Sequence, residues 1–141
     1  MEIVELLSAA ERTEVLPILR QLYPSLDEGR YAALLAEMID DGYRQFAVRN
    51  EAGEVVAVAG VAVHVNLYYG RHLYVYDLVV KEDARSQGCG GLLMDHVEEI
   101  GRRQGCETAA LAVSLDREGA QRLYERRGYQ KPSYAMRKAL G

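Results

Sequence analysis

Between Asp77 and Leu93 a strand-like apolar run passes through a short polar loop into an amphipathic helix, and the loop holds the residues most suited to chemistry. Arg85 stands three positions before Gly88, with Ser86 and Gln87 between them; Cys89, Gly90 and Gly91 follow. Glycines at a helix start let the chain turn tightly and leave its first N–H groups free, and the helix dipole adds positive potential there. Such a place suits a phosphate or pyrophosphate, to which Arg85 can add a charge-assisted contact. The spacing is neither a dinucleotide fingerprint nor a P-loop, because no Lys-Ser/Thr pair follows the glycines. Taken alone, the loop also fits a glycine-rich helix entry packed closely on a sheet.

A second segment, Ala120 to Tyr129, reads as a short helix stopped by Gly128, with Tyr124 near its middle. Together the two segments resemble the GNAT acetyltransferase superfamily. The family's acetyl-CoA signature, Arg/Gln-x-x-Gly-x-Gly/Ala, is matched by Arg85, Gly88 and Gly90. Its later Ala-x-x-Leu/Phe-Tyr-x-x-x-Gly-Phe/Tyr pattern is matched by Ala120, Leu123, Tyr124, Gly128 and Tyr129. The resemblance covers residues 72–130.

The resemblance implies a sheet whose fourth and fifth strands part, with the pantetheine arm of acetyl-CoA in the opening. Backbone groups of Leu78 and Val80, flanking Val79, would hydrogen-bond that arm, and an amide near Leu78 would polarise the thioester carbonyl. The N–H groups from Gln87 to Gly91 would hold the pyrophosphate. Tyr124 would be the general acid toward the departing thiolate, since a phenol of pKa about 10 is protonated at neutral pH. Asp77 is the candidate base, although strand alternation sets it on the face opposite Leu78, and a bulge would be needed to re-aim it. Capping of nearby N–H groups is the alternative role for Asp77. His64 and His72 are further candidates to accept a proton. Where many members carry an Asn that contacts the pantetheine arm, this chain has Arg117, which can replace that contact with a phosphate one or face solvent. Cys89, inside the cradle, reads first as a small residue tolerated beside the glycines; the alternative is a thiol whose oxidation would block the cofactor.

Ten tyrosines stand against one phenylalanine and no tryptophan. Tyr69, Tyr74 and Tyr76 flank the expected acceptor groove, where aromatic faces can receive a cation. Residues 1–54 carry eleven acids against five bases, and residues 102–141 four against nine. This asymmetry suits a polyanionic cofactor near the C-terminal third and a small cationic amine near the N-terminal third, and equally a set of solvated helix faces. The same tyrosines can instead form cross-strand pairs or a homodimer surface. A protein α-amine or lysine acceptor, and a non-catalytic acyl-CoA-binding module, are the alternative functions.

A length of 141 residues suits one N-acetyltransferase domain over 1–141. Acids near the N-terminus and no apolar run long enough for a bilayer predict a cytoplasmic protein without a membrane partner. No basic stripe interleaved with aromatics points to nucleic acid. The two cysteines, Cys89 and Cys106, give neither a disulfide framework nor metal-ligand spacing, so no metal is expected.

The elements expected around these residues run β-α-α-β-β-β-α-β-α-β. Residues 2–7 form a first strand; Ser8 to Glu11 and Ser25 to Glu28 are capping boxes that open helices over 9–22 and 27–41. Strands follow over 44–49, 54–65 and 72–80, then the cradle and a helix over 89–104. A strand over 106–114, a helix over 116–127 and a last strand over 133–138 complete the chain. Hairpins before a single βαβ crossover imply an α+β class, a mixed and mostly antiparallel sheet flanked by helices.

Overall fold

The computed structural model describes residues 1–141. Alternation of apolar residues builds five strands: β1 (Glu2–Leu6), β2 (Arg44–Arg49), β3 (Val55–Asn66), β4 (Gly70–Val80) and β5 (Thr108–Leu111). They lie in the order β1-β2-β3-β4-β5, antiparallel except for the β4–β5 pair. Strand β3 is apolar and buried over Val55–Ala62, as expected of a strand covered on both faces.

One face is covered by α1 (Ala9–Glu14), α2 (Leu16–Leu19) and α3 (Glu28–Asp40), whose Leu16, Leu19, Tyr31 and Leu35 pack on Ala47, Val58 and Val79. The other is covered by α4 (Cys89–Arg103) and α5 (Glu118–Arg126). There Leu93, Met94, Val97 and Tyr124 pack on Phe46, Ala59, Val75 and Leu78. The α+β class and the helix-flanked, mostly antiparallel sheet agree with expectation.

Three local readings are corrected. The helix expected over 9–22 is two short helices, because Pro17 has no N–H to give the carbonyl four residues back. Ser8 does form its capping box with Glu11, but α3 is capped by Asp27 instead of Ser25, with Asp27 accepting from the Arg30 N–H at 2.7 Å. The last strand, over 133–138, does not form. Residues 130–141 are exposed, carry no regular structure and pair with no strand of the sheet.

Candidate active site

The site is set by how β4 changes partners along its length. Its first half pairs with β5 from His72↔Thr108 to Val75↔Leu111, and there the parallel ladder ends. Its second half continues to Val80 beside β3 alone. The Lys81 N–H donates to the Val56 carbonyl at 2.7 Å. Antiparallel pairs alternate between bonded and non-bonded, so Ala57↔Val80 and Ala59↔Leu78 are non-bonded pairs. The N–H and C=O of Leu78 and Val80 therefore turn away from β3, toward the opening left by β5. Val79, between them, turns its side chain into the core under α2 and α3.

Beyond β4 a single 3₁₀ turn (Glu82–Ala84) leads into the glycine loop. Ser86 and Gly88 both adopt left-handed backbone, φ 69° and 82°. Turns of this kind bring successive N–H groups to face one concavity. Gly88 is the N-cap of α4 and no side chain caps it, so the N–H groups of Cys89, Gly90 and Gly91 have no partner inside the helix. A Cβ built on Gly88 meets no protein atom within 4 Å, whereas one on Gly90 lies 3.3 Å from Leu123 of α5. Gly88 thus opens on space, and Gly90 sits where α5 closes on α4. Exposed Arg85 and Gln87 flank the loop, with Arg85 donating to Gln21 at 3.1 Å. Cys89 is only 1% exposed, its Sγ against the sulfur of Met1. Burial keeps it from oxidants and favours its reading as a small residue packed beside the glycines.

Helix α5 ends in a Schellman motif: Tyr129 N–H donates to the Tyr124 carbonyl and Gly128 N–H to that of Glu125, with Gly128 at φ 92°. The motif fixes Tyr124, 7% exposed, with its ring packed on that of Tyr129. Arg127 and Tyr129 tie the end of α5 to Glu98 of α4, at 3.0 and 2.8 Å. Burial raises the pKa of Tyr124, and the nearby charge of Arg117 opposes the rise. Arg117, half-buried at the N-cap of α5, also acts on Tyr23. Tyr23 belongs to the next cluster.

That cluster centres on Asp77. The ladder shifts between Gly60 and Val61, so that Gly60 faces Asp77, Val61 faces Val75, and Tyr76 is the extra residue of a bulge. Asp77 still projects to the α2–α3 side, opposite Leu78, and is 7% exposed. Tyr23 donates to its Oδ1 and Tyr43 to its Oδ2. No backbone N–H caps it. Burial raises its pKa and the two tyrosine donors pull it back; burial and the carboxylate together raise both phenols.

The predicted acceptor tyrosines divide. Tyr76 lines a cavity of about 460 Å³ with Asp77, whereas Tyr69 and Tyr74 line a larger cleft of about 1080 Å³ with Tyr124. The Tyr74 and Tyr76 rings, one lining each space, pack edge-on with centroids 4.8 Å apart. His72 is buried and hydrogen-bonds the Gly70 carbonyl, and His64 binds the Tyr76 hydroxyl at 2.7 Å. Tyr23, Tyr43 and Gly60 escaped sequence reasoning, since they approach Asp77 only through the folded sheet.

A sheet opening between parallel strands, walled by orphan N–H groups, defines a receiver of a long anionic ligand. The model of the acetyltransferase (GNAT) family matches residues 8–129, and the chain belongs to that family. It is 31% identical over 138 residues to "Uncharacterized N-acetyltransferase YhdJ" of Bacillus subtilis, covering 96% of each chain. Among solved structures it resembles an acetyltransferase of Trypanosoma brucei (24% identity, 99% of each chain, TM-score 0.80). It also resembles AAC(6')-Iy, solved with a bisubstrate analogue, CoA-S-monomethyl-acetylneamine (16% identity, 99% of this chain and 97% of that one, TM-score 0.83). These two likenesses show the fold. The protein is an N-acetyltransferase that uses acetyl-CoA. No helix is long and apolar enough to cross a membrane.

Proposed function

We propose that the protein acetylates the primary amine of a small cationic metabolite by direct attack on the thioester. The observation that carries this reading is the parting of β4 from β5 after Val75↔Leu111, with Tyr124 along one side and Asp77 next in sequence to Leu78. Acetyl-CoA supplies an activated acetyl group.

The chain's residues do the rest. Leu78 and Val80 hold the pantetheine amides as a neighbouring strand would. The orphan N–H groups at Cys89, Gly90 and Gly91, with Gln87, Gly88 and the Arg85 guanidinium, hold the pyrophosphate. Ser86 contributes its strained left-handed turn. Leu78 N–H steadies the negative charge that develops on the carbonyl oxygen. Asp77 takes the proton of the attacking amine as its nitrogen bonds to the acetyl carbon, a role suited to a carboxylate whose pKa burial has raised. Tyr124 would give a proton to the departing sulfur, and the charge of Arg117 opposes the rise that burial imposes on its pKa.

Calorimetry with acetyl-CoA on wild type and Gly88→Glu, followed by thiol release over an amine panel, tests the reading. Binding by wild type that is lost in the variant supports the cradle. Absence of binding by wild type overturns it.

A further inference from the structure

The cavity beside Asp77 says more about the acceptor than its charge. It is bounded by α2, α3 and the bulge of β4, and nine of its thirteen lining residues are hydrophobic. Its size lies within the range of small-molecule pockets, roughly 300–1,000 Å³. Leu26, Leu34, Leu35 and Met38 supply aliphatic wall. Four tyrosines also line it, which would suggest a polar interior, but every one of their hydroxyls is engaged. Those of Tyr23 and Tyr43 donate to Asp77, that of Tyr31 donates to the Arg12 carbonyl at 2.7 Å, and that of Tyr76 meets His64. The tyrosines therefore present ring faces and hydroxyls already hydrogen-bonded within the protein.

Two charged side chains remain, Asp77 at the floor and exposed Arg30 at the rim. Each Asp77 oxygen accepts one phenol and keeps a lone pair, so the carboxylate can still receive an ammonium N–H. A ligand rich in hydroxyls would leave them unpaired against the aliphatic wall, at a cost in affinity. A second positive charge would meet Arg30.

We propose that this cavity takes a primary monoamine carried on an apolar, uncharged body, an arylalkyl or alkyl amine, with its nitrogen at Asp77. The inference rests on the N-acetyltransferase reading above and names its substrate class.

The test compares 2-phenylethylamine with glucosamine and neamine as acceptors by thiol release, alongside acetyl-CoA calorimetry. The expected result is a kcat/KM for 2-phenylethylamine at least about 10-fold above either sugar. Leu34→Trp adds bulk at an exposed position of the cavity wall. It should raise the KM for 2-phenylethylamine about 10-fold or more while acetyl-CoA affinity holds. Asp77→Asn should weaken the amine and leave acetyl-CoA binding in place. Thiol release with the sugars alone, or an unchanged amine KM in Leu34→Trp, would overturn the pocket assignment and leave the transferase reading standing. Failure to bind acetyl-CoA would overturn both.

Discussion

The Tyr43 hydroxyl donates to Oδ2 of Asp77 across 34 positions of the chain, and Gly60 of the intervening strand is what lets them meet. Gly60 faces Asp77 in the β3–β4 ladder, at the residue where the register shifts. A side chain there would occupy the place of the phenol. The pairing of a buried carboxylate with two phenols thus depends on a missing methyl group one strand away.

Gly60→Ala should therefore disturb Asp77 from a distance. Its Cβ would overlap the Tyr43 hydroxyl and sit 2.5 Å from the Asp77 carboxylate. Both atoms are side-chain ends held together by a buried hydrogen bond, so either that pair parts or the strand shifts. Overpacking of this kind costs about 1–3 kcal/mol, to be read by chemical denaturation. The loosened Tyr43 should also move the acid limb of kcat/KM upward, because Asp77 loses a donor that holds its pKa down.

Asp77 should tax stability at neutral pH. Its folded pKa is raised by burial, so the fold favours the protonated form. That contribution is complete below the unfolded pKa and is lost as pH rises through the folded one. Glu5 and Glu14 have lowered values and act oppositely, which masks the effect in wild type alone. The difference in Tm between Asp77→Asn and wild type should grow more positive from about pH 4 to pH 7. A flat difference would mean that the tyrosine donors fully offset burial.

What could be read from sequence was what local chemistry determines. The glycine cradle and the Tyr124 helix are contiguous, and Gly128 signals its αL stop by residue type alone. The break at Val15 is equally local, since Pro17 lacks the N–H that a continuous helix over 9–22 needs. The strand expected over 133–138 failed because alternation proposes a strand while only a partner edge makes one. The Asp77 cluster was out of reach in principle. Tyr23 lies 54 positions away, and only the folded sheet and helices bring it to the carboxylate.

Gly88 and Gly90 should fail for different reasons. Gly88 holds φ 82° with open space around its absent side chain. Gly88→Ala should cost about 1–2 kcal/mol of backbone strain and place a methyl in the anion's path. Gly90→Ala meets Leu123 at 3.3 Å, so α5 must yield slightly and carry Tyr124 with it. Acetyl-CoA affinity should fall in the first variant; in the second, kcat should fall more than affinity. Equal losses of affinity in both would place Gly90 in the anion cradle alone.

Tyr124→Phe separates holding from chemistry. The ring packs in the α4-side core and against Tyr129, and phenylalanine preserves both contacts. Acetyl-CoA affinity and Tm should therefore change little. Loss of the hydroxyl should lower kcat by about 10²-fold or more, the usual worth of a positioned general acid. Because burial raises the pKa of Tyr124, the wild-type acid should stay protonated beyond an ordinary phenol, and kcat should hold to above about pH 10. In the variant any residual rate should lack that alkaline limb. A variant with unchanged kcat would assign protonation of the leaving thiolate to water, with Tyr124 kept for packing.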